Sequence, residues 1–404
     1  MTTLTADRQL RVLHVVRQFH PNCGGLEDFV ANLARTQIEA GIDARVLTLD
    51  RQFTRPDVTL PERDALGPIP IRRIPFRGSK RYPLAPGFLA ALGDADLVHV
   101  HAIDFFFDAL AATRLMHGKP LVATTHGGFF HTGAHSTLKK LWFSGPTRLS
   151  ALAYRAIVAC SEQDEATFAT IAGEKVVLIE NGVDIGKLAG RARPTKSKRL
   201  VSIGRLAANK RPDHLLAAFA RLVAADREWH LAIVGAESDW SAEQLRAEIE
   251  RHGLGTHVDL HIGLDDAGLA RVVAGSSLFV SASEYEGFGI ALIEAASAGL
   301  GIVVNGNTAF RELAARHEGI RLTDFANPDA AAAAIRAAYD ALPEMRCVPD
   351  WVGAYAWPAV AARYGEVYRR ALGLEANRAQ FQQPVSASVK YRSELPEAVK
   401  MQGK

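Results

Sequence analysis

Short apolar runs alternate with amphipathic stretches along this chain, and the same pattern occurs twice. Arg11-Val-Leu-His-Val-Val16 predicts a buried strand, followed by a loop with Cys23, Gly24 and Gly25. An amphipathic helix follows from about Leu26 to Ala40, then a strand at Ala44 to Leu49. Further on, Arg199-Leu-Val-Ser-Ile-Gly204 is again a strand, the loop Arg205 to Arg211 follows, and Pro212 and Asp213 open a helix before the strand His230 to Val234. Proline in a first helical turn is the expected start signal, since its missing N–H is not needed there. Further strands are expected at Leu97–His101, Pro120–Thr125, Ile157–Cys160 and Val176–Ile179. In the second half they are expected at Val258–Ile262, Ser277–Ser281 and Gly301–Val304.

Strands alternating with helices imply parallel sheets covered on both faces. A chain of 404 residues is too long for one core. The expectation is α/β, two doubly wound, Rossmann-like parallel-sheet domains facing across a cleft. The first domain spans 1–182 and the second 183–350, with the boundary near Asn181-Gly-Val-Asp184. Lys187 to Lys198, rich in Lys and Arg, reads as a surface linker. Trp351 to Leu372 reads as one helix with aromatic anchors, packing back on the first domain. Residues 375–404 are polar without a hydrophobic period and read as mostly disordered.

The most specific chemistry lies in Glu286-Gly-Phe-Gly-Ile-Ala-Leu-Ile-Glu294, two carboxylates with seven residues between them. The run before it is a buried strand and Ile290 to Ala298 a helix, so the motif sits where ligands bind in open α/β sheets. Gly287 and Gly289 admit close backbone approach, and Phe288 lies between them. Glu286 in the loop and Glu294 in the helix suit two ends of a polyhydroxylated ligand.

Other candidates carry two readings each. Gly24-Gly25 is either a backbone approach to a pyrophosphate or sugar at a helix N-terminus, or a tight turn. Arg205 and Lys210, five positions apart, either neutralise a diphosphate or form a solvated basic loop. His126, ending a strand before Gly127-Gly128, either meets a sugar hydroxyl or marks a turn. His131 and His135 are nearby, but no acid or cysteine joins them at ligand spacing, so no metal site is expected. Ser161 either bonds a ligand or caps the next helix.

Composition changes the picture in one place. Net charge is +3 and charged residues are 23%, ordinary for a globular protein and no footprint for nucleic acid. Yet no Asp or Glu occurs from Ala109 to Ser161, a span holding Arg114, Lys119, Lys139, Lys140, Arg148 and Arg155. Lys139 and Lys140 stand beside Trp142 and Phe143, cations with aromatics, which suits an anionic membrane surface or an anionic acceptor. The alternative is a half-buried helix with a wet basic edge. A shorter basic run, Arg72, Arg73, Arg77, Lys80 and Arg81, is interleaved with Phe76 and Tyr82. Cys23, Cys160 and Cys347 are far apart, which fits a reducing cytoplasm. Met1 to Arg8 has no signal-peptide core and no apolar run reaches transmembrane length, so membrane contact is expected to be peripheral.

Taken in order, the Gly-Gly loop, strand-end His126, Arg205-(x)4-Lys210 and Glu286-(x)7-Glu294 resemble the retaining glycosyltransferases of the GT-B fold, in the family 4 group that includes sucrose synthase and bacterial mannosyltransferases. The likeness covers about Arg11 to Leu372. His126 to Thr132 and Leu138 to Phe143 resemble a narrower group, the GDP-mannose-dependent α-mannosyltransferases of acetan and xanthan exopolysaccharide assembly.

The resemblance implies several roles. Gly24 and Gly25 line the cleft near the donor diphosphate, and His126 contacts the donor sugar. Arg205 and Lys210 hold the leaving diphosphate. Glu286, with Gly287, Phe288 and Gly289, faces the transferred sugar, and Glu294 binds the ribose. The implied acceptor is a polyprenyl-diphosphate-linked glucose disaccharide at the inner face of the cytoplasmic membrane. No metal or other cofactor is implied. A UDP-sugar donor, a nucleotide-sugar 2-epimerase and a non-catalytic binding module on the same fold are the alternatives.

Overall fold

The computed structural model describes residues 9–80, 82–127, 141–193, 195–343 and 346–374. The expectations for Arg81, Gly128 to Lys140 and the 375–404 tail, Lys139 and Lys140 among them, lie outside the described residues.

The first sheet has eight strands. They are β1 (Arg11–Val15), β2 (Asp43–Leu49), β3 (Arg63–Leu66), β4 (Ile69–Ile74), β5 (Leu97–His101), β6 (Leu121–Thr124), β7 (Ala156–Ala159) and β8 (Val176–Leu178). They lie in the order β8-β7-β6-β5-β1-β2-β4-β3, all parallel except the β3–β4 edge pair. The second sheet has six parallel strands: β9 (Arg199–Ile203), β10 (His230–Gly235), β11 (Val258–Ile262), β12 (Leu278–Ser281), β13 (Gly301–Asn305) and β14 (Ile320–Thr323). Their order is β11-β10-β9-β12-β13-β14. The central strands are buried on both faces, which is why they read as continuous apolar runs.

Each sheet separates two apolar cores. Strand order reverses between β1 and β5 in the first sheet and between β9 and β12 in the second. Loops diverge at such switch points and leave a crevice at the carboxyl ends of the strands. In the first sheet Arg17, just after β1, pairs there with Asp104, after β5, at 2.6 Å.

Two expectations are corrected. Trp351 to Leu372 is not one helix. A 3-10 turn, Asp350–Tyr355, precedes the α-helix Trp357–Leu372, and extended Ala356 separates them. Pro358 has no N–H to give a preceding turn, so it must sit at a helix start. The Lys187–Lys198 stretch is no free linker. Leu188 is fully buried, and the amides of Gly190 and Ala192 donate to the carbonyls of Ser297 and Ala298.

The helix Trp357–Leu372 packs on the first unit beside the helix Gly25–Glu39, burying Val360, Tyr364, Val367 and Tyr368. The chain crosses between the units at Gly182, where an added Cβ would lie 2.5 Å from the Trp357 ring. A second tie is the bidentate pair of Arg316 with Glu180, at 2.7 and 2.9 Å.

Candidate active site

The loops that leave β9 and β12 meet at the second unit's switch point. Lys210 ends a 3-10 turn, Ala208–Lys210, and its Nζ lies 2.6 Å from Glu286 Oε1. Two backbone links hold the loops in register: the Glu284 amide donates to the Asn209 carbonyl, and Asn209 Nδ2 donates to the Tyr285 carbonyl, both at 2.8 Å. Both charged side chains are mostly but not wholly covered, so each remains open to a ligand. Arg205 is exposed on the same loop.

The glycines sort by what surrounds them. An added Cβ would meet nothing within 4 Å at Gly25 or Gly287, so no packing inside the protein demands glycine there. At Gly289, φ is +98° and a Cβ would come within 3.1 Å of Phe310 and Leu313. Gly289 therefore shapes the start of the helix Ile290–Ser297 rather than opening space. Phe288 turns its ring into the core against Tyr355, leaving only its backbone to face the crevice. Gly24 is extended, and a Cβ there would touch only the Glu27 carboxylate, which accepts from Asn22 Nδ2 at 2.6 Å. Behind the site, a Cβ on Gly235 would sit 1.8 Å from the Gly204 carbonyl, so β9 and β10 close up only because residue 235 is glycine.

Glu294 lies in the helix Ile290–Ser297 and is largely covered. Burial raises its carboxyl above the ordinary range, while nearby Lys187 pulls it down.

On the first unit, His126 follows β6 with φ of +54°. Its ring meets the edge of Phe29, from the helix that Gly25 opens, at 4.7 Å. Burial pushes its imidazole down to about 3, so it is neutral at pH 7. Its Nε2 contacts His101 Nδ1 at 3.0 Å. His101 belongs to a buried polar group with His14, His99 and Gln37, all 0% exposed. Burial lowers His14 to about 4 and holds His99 and His101 well below 6.5. The sequence reading missed this group. Its signal was present, however: histidines inside the apolar strands at positions 14, 99 and 101, which share the sheet face of Val12 and Leu97.

Ser161 caps the helix Glu162–Ala172, its hydroxyl accepting from the Asp164 amide at 3.2 Å, and Asp164 accepts from Thr125. The Tyr285 phenol is raised by burial, then by Asp164 of the first unit and by Glu286. The Glu286 loop therefore faces the Ser161 helix across the crevice.

Phe143 is corrected. It is 5% exposed and packs edge-on against Phe168 in the core, because its π-helical turn points it inward. Trp142 beside it is 46% exposed. Arg73, in the shorter basic run, is also internal. It donates to the carbonyls of His20 and Pro61 and pairs with Asp64. A cavity of about 380 Å³, lined by Arg193, Arg199, His230 and Arg271, lies at the opposite edge of the second sheet, where strands begin.

Residues 23–187 match the domain described as Glycosyltransferase Family 4, and residues 187–346 the domain described as Glycosyl transferases group 1. The GDP-mannose:cellobiosyl-diphosphopolyprenol alpha-mannosyltransferase of Komagataeibacter xylinus is 42% identical over 91% of this chain and 95% of its own length. The chain belongs to glycosyltransferase family 4. The transferase is also 41% identical to the like-named protein of Xanthomonas oryzae pv. oryzae, over 90% of this chain and 98% of that protein. The phosphatidyl-myo-inositol mannosyltransferase of Mycobacterium tuberculosis is 28% identical over 87% of the transferase and 94% of its own length. Two solved structures share the fold. Sucrose-phosphate synthase from Thermosynechococcus elongatus has a TM-score of 0.65 at 18% identity, covering 90% of the transferase and 100% of that chain. A glycosyltransferase from Rickettsia africae has a TM-score of 0.69 at 16% identity, covering 90% and 99%. The transferase is thus a GT-B protein.

Proposed function

We propose that the chain transfers mannose from GDP-mannose to a glucose disaccharide on polyprenyl diphosphate, with retention of configuration, in exopolysaccharide assembly. One observation carries the reading: the Lys210–Glu286 pair sits at the crevice mouth in a chain 42% identical to a protein named for that reaction.

The second unit takes the nucleotide sugar and the first the acceptor. As the sugar–diphosphate bond breaks, negative charge grows on the leaving phosphate and positive charge on the sugar ring. Arg205 and Lys210 oppose the first, the role a divalent metal plays elsewhere, so no metal is needed. Lys210 exchanges its Glu286 contact for the diphosphate, which frees the Glu286 carboxylate to face the sugar. There Glu286 steadies the cation while the acceptor attacks from the leaving-group face. Open space over Gly25 and Gly287 admits the ligand to the backbone amides. Glu294 holds the ribose hydroxyls. Ser161 keeps its capping role.

Membrane contact belongs to the same proposal. Among the described residues no helix is long and apolar enough to cross a membrane. Leu115 is 99% exposed and Met116, Leu141, Leu149 and Leu152 are exposed too, in the acid-free span with Arg114, Arg148 and Arg155. Apolar side chains among cations suit the cytoplasmic leaflet.

The test is transfer of label from GDP-mannose, with UDP-glucose in parallel, to a synthetic cellobiosyl-diphospholipid in EDTA. Labelled lipid from GDP-mannose, abolished by Glu286→Ala, supports the reading. Labelling only from UDP-glucose overturns the donor, and inhibition by EDTA overturns metal independence. Liposome flotation tests the surface: Leu115→Asp with Leu149→Asp should release the protein from anionic vesicles, and undiminished binding removes that surface from the proposal.

A further inference from the structure

A continuous string of hydrogen bonds runs inside the first unit from the helix Trp357–Leu372 to His126. Gln37 Nε2 donates to the Tyr368 hydroxyl at 3.1 Å, and Gln37 Oε1 lies 2.8 Å from His14 Nε2. His14 Nδ1 lies 2.9 Å from His101 Nε2, and His101 Nδ1 lies 3.0 Å from His126 Nε2. A branch leaves Tyr368 through His99 to Thr124 and Tyr364.

A neutral imidazole donates from one nitrogen and accepts at the other. All four rings are neutral at pH 7, held so by burial. The direction of one bond therefore dictates the rest. With Gln37 Oε1 accepting, the His14 proton is on Nε2, so its Nδ1 accepts from His101 Nε2. His101 Nδ1 then accepts from His126 Nε2, and His126 Nδ1 is left with a lone pair. Turning the Gln37 amide over would reverse every bond and leave an N–H there instead.

We infer that Gln37, buried behind the sheet, is a positioning residue that selects the Nε2–H tautomer of His126, so that His126 meets the donor sugar as a hydrogen-bond acceptor. The inference rests on the proposed role of His126 beside that sugar. The choice matters because the sugar ring becomes cationic in the transition state. A lone pair accepting from a sugar hydroxyl favours that charge, whereas an N–H dipole pointing at it opposes it. His14 and His101 transmit the setting, and Tyr368 on the helix Trp357–Leu372 anchors it.

A bound cation is the competing reading, since ligand atoms of His14, His99 and His101 all lie within 4.8 Å of one another. However, every one of their six ring nitrogens already has a hydrogen-bond partner. A cation would have to break some of these bonds.

The experiment uses the full chain with ¹⁵N-labelled histidine and two-bond proton–nitrogen correlation spectra, His126 being assigned by His126→Ala. His126 should be the Nε2–H tautomer. Gln37→Met, which keeps length but no polar atoms, should mix the tautomers and lower kcat about tenfold, the worth of one hydrogen bond, with little change in KM. Gln37→Glu, whose carboxylate accepts from His14 when ionised, should restore the tautomer and most of kcat. A purely structural Gln37 would lower thermal stability without moving the tautomer. Three results overturn the proposal: an Nδ1–H tautomer in the wild type, an unchanged tautomer in Gln37→Met, or one zinc or similar ion per chain by elemental analysis. The spectra need no substrate. If the wild type turns over no GDP-mannose, the functional reading fails while the tautomer result stands by itself.

Discussion

Lowering the pH from 7 to 5 should destabilise the first unit steeply, and the buried histidines set the size of the effect. Burial pushes His14 down to about 4 and His126 to about 3, and holds His99 and His101 well below their ordinary 6.5. In the unfolded chain each takes up a proton as the pH falls through 6.5. In the folded chain none does until the pH is lower still. The unfolded state thus binds more protons in this window, and stability falls with pH. At pH 5 each unfolded histidine gains about 2 kcal/mol from protonation, so four cost the fold at most about 7–8 kcal/mol. Asp104 works in the opposite direction. Burial raises its carboxyl to about 6, against the pull of Arg17, so the folded state binds its proton first. That returns about 1 kcal/mol at pH 5. The net loss, at most about 6–7 kcal/mol, is comparable to the whole stability of many domains. The assay is urea unfolding at pH 7, 6 and 5, followed by hydrogen exchange in β1 and β5. The first unit should lose protection well before the second. Equal urea midpoints at pH 7 and 5 would refute the reasoning, because they would mean that these rings are already charged or already exposed in the folded state.

Three further perturbations have definite expected outcomes. Lys210→Ala should lower kcat about 10²–10³-fold with a smaller change in KM, as expected for a group that acts on charge developing in the transition state; a pure KM effect in steady-state kinetics would assign Lys210 to ground-state binding instead. Gly235→Ala should destabilise the second unit by about 3 kcal/mol or more, since its Cβ would lie 1.8 Å from the Gly204 carbonyl and both partners are backbone; a melting temperature within a degree of wild type contradicts this. Glu180→Ala removes the bidentate pair with Arg316, about 1.5–3 kcal/mol, and should let the units separate more widely in small-angle scattering; an unchanged scattering profile means that Gly182 and Trp357 alone hold the closure.

Patterns local in the chain survived folding well. Continuous apolar runs became buried parallel strands because both faces of such sheets are covered, and that condition is written in composition alone. Glu286-(x)7-Glu294 was legible because a strand end, a glycine turn and a helix start are neighbours in sequence as well as in space. Lys210 beside Glu286 was only implied, through family resemblance. What brings these two together is the β9–β12 switch point, between strands separated by β10 and β11 in the chain. Side-chain direction was the main source of error. Trp142 and Phe143 look alike in sequence, yet the step into the π-helical turn Phe143–Thr147 leaves one in solvent and puts the other in the core. Arg73, one of a run of basic residues, is internal because three oxygen partners surround it. The histidine string is the extreme case. Its members come from β1, β5, the segment after β6 and two helices more than 300 residues apart, so no window of sequence contains it. Hydrophobic periodicity decided which segments are buried. Only the tertiary structure decided which polar groups are buried with them, because a buried polar group persists only where distant parts of the chain supply its hydrogen-bond partners.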